Sequence, residues 1–228
     1  MVLRAKQPQS ESMERLVHVP ADGVTLEGAL VIPAGARGVA LFAHGSGSSR
    51  HSPRNTFVAG VLQEGGLGTL LIDLLTERED ATYETRFDID LLSRRLAAAT
   101  RWLGTEPRTA HLDIGYFGAS TGAAAALRAA ADVGSRIKAI VSRGGRPDMA
   151  ESALDRVQAP TLLIVGGYDD VVIELNQRAY ERLRAVKELV IVPGATHLFE
   201  EPGALEEVAR LAARWFGRYL GSTPSGTR

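Results

Sequence analysis

The chain has 228 residues, of which 45% are hydrophobic and 23% charged, and its formal net charge is −1. This length and composition are those of one globular domain, and the near-neutral charge gives no bulk attraction for nucleic acid or an anionic membrane. The chain contains no cysteine, which excludes disulfides and a thiolate nucleophile.

Both ends of the chain are polar, and we expect residues 1–13 and 221–228 to be flexible segments on either side of a single domain at 14–220. The N-terminal segment lacks the apolar stretch of a secretory signal. No apolar run reaches the roughly 18 residues that a membrane span requires. These features predict a cytoplasmic protein.

The domain is predicted to begin with an antiparallel hairpin, because residues 15–19 alternate in polarity, 20–23 form a turn and 24–32 resemble a second strand. Apolar runs of the kind found in buried parallel strands follow, at 39–43, 67–72, 137–142, 161–165 and 189–192, and residues 112–117 are predicted to form a further buried strand. Helical patterns fall between them, at 55–64, 86–103, 121–131, 174–183 and 204–219. This alternation predicts an α/β domain with a mostly parallel central sheet and helices on both faces. Ligands of such domains bind at the carboxyl ends of the strands.

The most informative stretch joins the predicted strand at 112–117 to the helix that follows it. Gly118-Ala119-Ser120-Thr121-Gly122 is a Gly-x-Ser-x-Gly pentapeptide at a strand-to-helix turn. Such a turn strains its central residue, and the glycines leave room for the neighbouring strand and helix. We therefore expect the Ser120 hydroxyl to be exposed at the carboxyl edge of the sheet. A helix N-cap is the alternative role for this serine.

Two later strands end in residues that could activate this serine. The strand at 161–165 is followed by Asp169, and the last strand is followed by His197. A serine hydroxyl needs a base such as imidazole to remove its proton, and the imidazole needs a carboxylate to fix its tautomer. The order serine, aspartate, histidine predicts a catalytic triad of Ser120, Asp169 and His197. Asp170 is the competing acid, and His51 is the competing base.

Hydrolysis through a serine also needs N–H donors for the oxyanion that forms on the substrate carbonyl. One is expected from Thr121, the residue after the nucleophile, at a helix N-terminus. The segment His44-Gly-Ser-Gly resembles the His-Gly-rich oxyanion loops of esterases, which assigns the second donor to the Ser46 N–H. A flexible Gly/Ser turn without a function is the alternative.

Together these segments resemble the α/β-hydrolase superfamily, and specifically small dienelactone-hydrolase-like proteins, over residues 16–220. The motifs that carry the resemblance are Phe42-Ala-His-Gly-Ser-Gly-Ser-Ser, Gly115-Tyr-Phe-Gly-Ala-Ser-Thr-Gly, Val165-Gly-Gly-Tyr-Asp and Ala195-Thr-His-Leu-Phe. The resemblance implies a Ser/Asp/His hydrolase without a metal or an organic cofactor. Dienelactone hydrolases carry a cysteine where this chain has Ser120, so an ester or thioester is the safer substrate than the dienelactone itself.

Two further expectations concern the substrate. Only residues 143–160 separate two successive strands at the place where many α/β-hydrolases insert a helical lid, so we expect an open site with one short helix at 149–157 and no substantial lid. Four arginines, at positions 50, 54, 143 and 146, fall in loops that should border the site. Arg143 and Arg50 are candidates for binding a substrate carboxylate. The alternative is that these arginines pair with Asp148, Asp170 or backbone carbonyls.

The sequence thus predicts a serine hydrolase that cleaves a small to medium ester, thioester or lactone through an acyl-enzyme on Ser120. Acyl transfer to an acceptor other than water, as in a perhydrolase, would use the same triad. A catalytically silent α/β-hydrolase scaffold that acts as a binding module is the alternative outside enzymes. The expected partner is a small molecule, and the oligomeric state is left open.

Overall fold

The central element of the computed structural model, which describes residues 13–221, is an eight-stranded sheet. Its strands are β1 (Arg15–Ala21), β2 (Val24–Val31), β3 (Gly38–Ala43), β4 (Gly68–Ile72), β5 (Asp113–Ala119), β6 (Ile137–Arg143), β7 (Thr161–Gly166) and β8 (Lys187–Val192). The strand order is β1-β2-β4-β3-β5-β6-β7-β8. Strand β2 runs antiparallel to β1 and β4, and the other neighbours are parallel. The predicted hairpin and mostly parallel sheet are confirmed, whereas the predicted flexible ends lie outside the described residues apart from Met13 and Gly221.

Residues 13–221 contain six α-helices: α1 (Pro53–Glu64), α2 (Glu77–Asp80), α3 (Ile89–Leu103), α4 (Thr121–Val133), α5 (Asp170–Arg182) and α6 (Ala204–Tyr219). The first five lie between strands along the chain, and α6 follows the last strand. The helix predicted from residue 86 begins at Ile89, because the Asp88 side chain accepts a hydrogen bond from the Leu91 N–H and caps it. Helix α5 begins four residues before its predicted start. The short helix α2 was not predicted from the sequence.

The helices cover both faces of the sheet and enclose two apolar cores. Helices α3 and α4 pack on one face, where Leu92, Leu96 and the alanines of α4 contact the strands. Helices α1 and α6 pack on the other face, where Val58, Trp215 and Phe216 are buried. The apolar stripe of α6 and the alanine-rich face of α4 are therefore the sequence features that allow these helices to pack on opposite faces of the sheet.

The segment between β6 and β7 forms no lid. It contains a kinked 3₁₀ helix at Pro147–Arg156 that packs against α4, with Ala150 and Leu154 buried in the core on that face. The carboxyl end of the sheet above β5 therefore stays open, as predicted. Between residues 13 and 221, no helix is long and apolar enough to cross a lipid bilayer.

Candidate active site

Ser120 lies at a sharp turn between β5 and α4. Strand β5 ends at Ala119 and helix α4 begins at Thr121, so Ser120 alone makes the turn, with φ of 51°. A positive φ is uncommon for a residue with a side chain and marks local strain. A Cβ on Gly118 would lie 2.5 Å from the Ala123 Cα, and one on Gly122 would lie 2.1 Å from the Ala43 carbonyl oxygen. The pentapeptide thus needs both of its glycines for close packing.

The backbone of Ser120 is held by the segment that follows β6. The Ser120 N–H donates to the Arg143 carbonyl at 3.1 Å, and the Ser120 carbonyl accepts from the Arg146 N–H at 3.1 Å. The side chain of Ser120 does not cap helix α4, so the N-cap role considered from the sequence is not the one this hydroxyl has. The strained turn therefore has supports on both sides and leaves the hydroxyl unused by the helix.

Asp169 and His197 are joined by a hydrogen bond of 2.6 Å between Oδ2 and Nδ1. A carboxylate only accepts, so this bond places the proton of a neutral His197 on Nδ1 and leaves Nε2 as a base. Asp169 is the less exposed partner, at 16% of its side chain against 37% for His197. The neighbouring Asp170 is instead the first residue of α5. Of the two acids considered from the sequence, Asp169 is the one that contacts the histidine.

The turn that contains His197 is held by hydrogen bonds of residues before and after it in the chain. Phe199 is buried, with φ of 57°, and its N–H donates to the Thr196 carbonyl. The Thr196 N–H donates in turn to the Glu201 carboxylate at 3.0 Å. Hydrogen bonds from Thr196 lower the pKa of the Glu201 carboxyl below its usual value. Phe199 and Glu201 were not singled out in the sequence, where no spacing rule marks an anchor of this kind.

Ser120 and His197 both contact the short segment Arg143-Gly144 at the end of β6. Gly144 follows the residue that accepts the Ser120 N–H, and a Cβ added to Gly144 would lie 3.4 Å from two atoms of the His197 ring. Among residues 13–221 no hydrogen bond joins the Ser120 hydroxyl directly to His197. Hydrogen bonds between a nucleophile and its base are often long in unliganded enzymes and shorten when substrate binds.

The two candidate oxyanion donors are also neighbours. The Ser46 N–H donates to the Thr121 Oγ1 at 2.9 Å. Thr121 is the first residue of α4, so its own N–H has no partner within the helix. Gly45 lies against the serine turn, because a Cβ there would be 3.2 Å from the Ser120 Cβ. The Ser46 N–H now donates to the Thr121 hydroxyl. To bind this N–H, an oxyanion would have to replace that hydroxyl as the acceptor.

The loop arginines divide into paired and unpaired groups. Arg50 is bound by Asp73 and by Glu27, so its guanidinium is already engaged by two carboxylates. Arg146 pairs with Asp148, one of the acids expected from the sequence.

Arg143 differs from the other loop arginines. It is 8% exposed, and its Nε and Nη1 atoms are buried without a hydrogen-bond partner. Burial, and next the charge of Arg54, lower the pKa of Arg143 to about 10. Arg54 itself pairs with Glu200 through Nη1, while its Nε is also buried and unpartnered. A guanidinium buried beside a second guanidinium is costly unless an anion joins it.

The remaining predicted candidates have other roles in the structure. His51, the competing base, is exposed in the loop before α1, and the hydrogen bonds within residues 13–221 do not join its ring to Ser120. Asp73, which follows β4, accepts from the Arg50 backbone N–H and pairs with the Arg50 side chain, so it joins two loops. A cavity of about 600 Å³ opens between these loops and is lined by His44, Asp73 and Arg50. Ser120, Asp169 and His197 do not line this cavity, and Asp169 and His197 are next in the chain to the exposed side chains of Tyr168 and Leu198.

The sheet order, the serine turn and the Asp169–His197 pair define an α/β-hydrolase. Residues 74–220 match the dienelactone hydrolase family, and the chain belongs to that family. A solved dienelactone hydrolase from Anabaena variabilis is 60% identical, with a TM-score of 0.90, and the match covers 92% of this chain and 99% of that one. The family and the fold are those of hydrolases.

More distant and longer relatives add to this comparison. The protein Est1E from Butyrivibrio proteoclasticus shares the fold, with a TM-score of 0.77 at 18% identity, over 89% of this chain and 98% of that one. A Mycobacterium tuberculosis protein named "Putative phosphoribosyl transferase" is 58% identical over 211 residues, or 92% of this chain. The chain spans about half the length of the curated relatives it matches, 48% in this case. The activity in that name belongs to the longer protein.

Proposed function

We propose that this chain is a serine hydrolase that cleaves a small to medium carboxylic ester through an acyl-enzyme on Ser120. The observation that carries the proposal is the 2.6 Å bond from Asp169 to His197, on the same edge of the sheet as the strained Ser120. This bond leaves His197 Nε2 unprotonated, which is the state a general base needs.

The reaction follows from these roles. His197 Nε2 takes the proton of the Ser120 hydroxyl as Oγ bonds to the ester carbonyl carbon, and the Asp169 carboxylate stabilises the imidazolium. The Ser46 and Thr121 N–H groups bind the oxyanion. The intermediate collapses when the bond to the alkoxy oxygen breaks and that oxygen takes the proton from His197. Water then attacks the acyl-enzyme with the same proton transfers and releases the acid.

The test compares the parent with triad variants on 4-nitrophenyl esters of increasing acyl length. Ser120→Ala should lower kcat by at least about 10³-fold, and Asp169→Asn by about 10⁴-fold, because asparagine favours the wrong histidine tautomer. Asp170→Asn is the matched control one residue away and should stay within about twofold. Equal rates for the parent and Ser120→Ala would refute the proposal, and undiminished labelling of Ser120→Ala by a fluorophosphonate would do so independently.

Product analysis separates hydrolysis from the alternatives. The released acid is expected as the main product when methanol or hydrogen peroxide competes with water, because the site has no lid to exclude water. A predominant transester or peracid would favour the acyltransferase or perhydrolase reaction on the same triad. A parent without activity that still binds esters would favour a silent scaffold.

We further propose that the preferred ester carries an anionic group, which Arg143 binds. Arg143 has two buried guanidinium nitrogens without a partner, and its backbone carbonyl accepts from the Ser120 N–H, so this residue adjoins the nucleophile in the fold. Arg50, the second arginine considered, has Asp73 and Glu27 as partners and contributes less to this proposal.

Matched esters with and without a carboxylate test this preference. Arg143→Met should raise KM for the carboxylated ester by at least about tenfold, the range of a charged hydrogen bond, and leave the neutral ester within about twofold. The control Arg146→Met removes a guanidinium that is already paired with Asp148 and should affect both esters alike. Because Arg143 has no partner, its replacement should not lower Tm. An equal loss on both esters in a stable Arg143→Met variant would remove this preference.

A further inference from the structure

The two ring nitrogens of His44 are held by groups whose roles cannot be exchanged. Nδ1 lies 2.9 Å from the Gly45 carbonyl oxygen, which only accepts. Nε2 lies 3.2 Å from the Leu74 N–H, which only donates. These two bonds require a neutral imidazole with its proton on Nδ1. His44 is 8% exposed, so it is a fixed link between two loops.

The link acts on the peptide that carries a candidate oxyanion donor. The Gly45 carbonyl and the Ser46 N–H are the two ends of one peptide unit. The described residues contain no cis peptide bond, and in a planar trans unit the C=O and N–H bonds point in opposite directions. The Gly45 carbonyl is held by His44 Nδ1 and, at the longer distance of 3.2 Å, by the Ser48 N–H. These bonds therefore also set the direction of the Ser46 N–H, which points to Thr121 beside the nucleophile.

We propose that His44 is a positioning residue that orients the Ser46 N–H toward the oxyanion through the Gly45–Ser46 peptide. The proposal rests on the proposed function, since an oxyanion forms only if Ser120 attacks a carbonyl. His44 itself does not touch the reacting atoms. Its ring has no free nitrogen for proton transfer, which separates its role from that of His197.

The Leu74 end of this link is attached to an ion pair in which Arg95 is buried and Glu79 is partly exposed. The Leu74 carbonyl accepts from Arg95 Nη1 at 2.9 Å. Arg95 is 2% exposed and makes two bonds, of 2.6 and 2.5 Å, to the Glu79 carboxylate. Glu79 also completes a capping box with Thr76 at the start of α2. His44 is thus attached to a segment with little freedom to move, which is what a preorganised donor requires.

Two substitutions separate the two bonds of His44. Asparagine places an N–H near the position of Nδ1 and keeps the donor to Gly45, whereas glutamine reaches the position of Nε2 and keeps only the contact with Leu74. We expect kcat to fall by about 10²-fold or more in His44→Gln and in the apolar control His44→Leu, the effect of losing one oxyanion donor. His44→Asn should recover at least about a tenth of the parent kcat. KM should change by less than about threefold throughout.

Inhibitor affinity distinguishes positioning from a purely structural role. A trifluoromethyl ketone forms a tetrahedral adduct with serine, and its affinity should fall by the same factor as kcat. The affinity of the matched methyl ketone, which stays trigonal, should be almost unchanged. If kcat follows Tm across the variants and Asn and Gln are equivalent, His44 is only structural and the proposal fails.

A measurement on the parent keeps the test independent of how the variants fold. Long-range ¹H–¹⁵N spectra of the histidine-labelled protein should show two rings in the neutral Nδ1–H tautomer, those of His44 and His197, and one of these two signals should be missing in His44→Asn. An Nε2–H tautomer or an imidazolium at neutral pH in the signal that His44→Asn removes would overturn the proposal. A parent without esterase activity would refute the proposed function instead, and the tautomer result would still report on the link.

Discussion

Gly122→Ala is expected to destabilise the protein and misplace the nucleophile. The added Cβ would lie 2.1 Å from the Ala43 carbonyl oxygen and 2.5 Å from the His44 carbonyl oxygen, where ordinary contacts begin at 3.4 Å. These backbone atoms or helix α4 must move by about 1 Å, so the cost should be near the top of the usual range for overpacking, about 3 kcal/mol. For a domain of this size that corresponds to a fall in Tm of roughly 6–12 °C.

Activity should fall more steeply than stability suggests. The end of β3 leads into the oxyanion loop, and a displacement of about 1 Å at a reacting centre can cost about 10²-fold in rate. Urea unfolding gives the free energy, and the rate of fluorophosphonate labelling reports on Ser120 in the folded fraction. The matched control is Gly60→Ala in α1, where a Cβ would meet no atom within 4 Å. It should raise Tm by about 1–4 °C, since alanine is favoured over glycine in a helix by about 0.5–1 kcal/mol. If both variants have the parent's stability and labelling rate, the steric account of the serine turn is wrong.

Three other substitutions test the core. Arg95 is the main cause that lowers the pKa of Glu79 to about 2, so the stabilisation by this carboxylate is present above its unfolded pKa of about 4.3 and is lost as the pH falls toward 2. Glu79→Gln should lower the free energy of unfolding by about 3 kcal/mol at neutral pH. In urea unfolding, the difference in this free energy between the variant and the parent should shrink below about pH 5, and a difference that stays constant with pH would contradict the ion pair. Ser142→Ala removes a buried hydroxyl oxygen without a partner and should raise the free energy of unfolding by about 1 kcal/mol, whereas a loss would mean that the hydroxyl is satisfied. Tyr116→Phe breaks a 2.5 Å bond to Thr100 between buried hydroxyls and should cost about 1 kcal/mol in the same assay, and an unchanged value would count against that bond.

Local patterns in the sequence were enough to predict the strands and the order in which the candidate serine, aspartate and histidine occur along the chain. The five apolar runs and residues 112–117 correspond to the six strands β3 to β8. Strands β3 to β7 are mostly buried, and a strand buried on both faces must be largely apolar, whereas the edge strand β8 is partly exposed. Helix boundaries were less well predicted. The start of α3 depends on the Asp88 cap and the start of α5 on the turn at Asp169, and neither follows from periodicity. The capping box of α2, Thr76 and Glu79, was visible in the sequence and was not used.

The sequence by itself determined that the serine of a Gly-x-Ser-x-Gly pentapeptide follows a buried strand, and that an aspartate and a histidine follow two later strands. Only the tertiary structure decided that Asp169 rather than Asp170 contacts His197, and that Arg50 is paired while Arg143 is not. The reason is physical. Hydrophobic periodicity is a property of neighbours along the chain, whereas hydrogen bonds and ion pairs depend on which distant segments meet at the edge of the sheet and on how much water remains there.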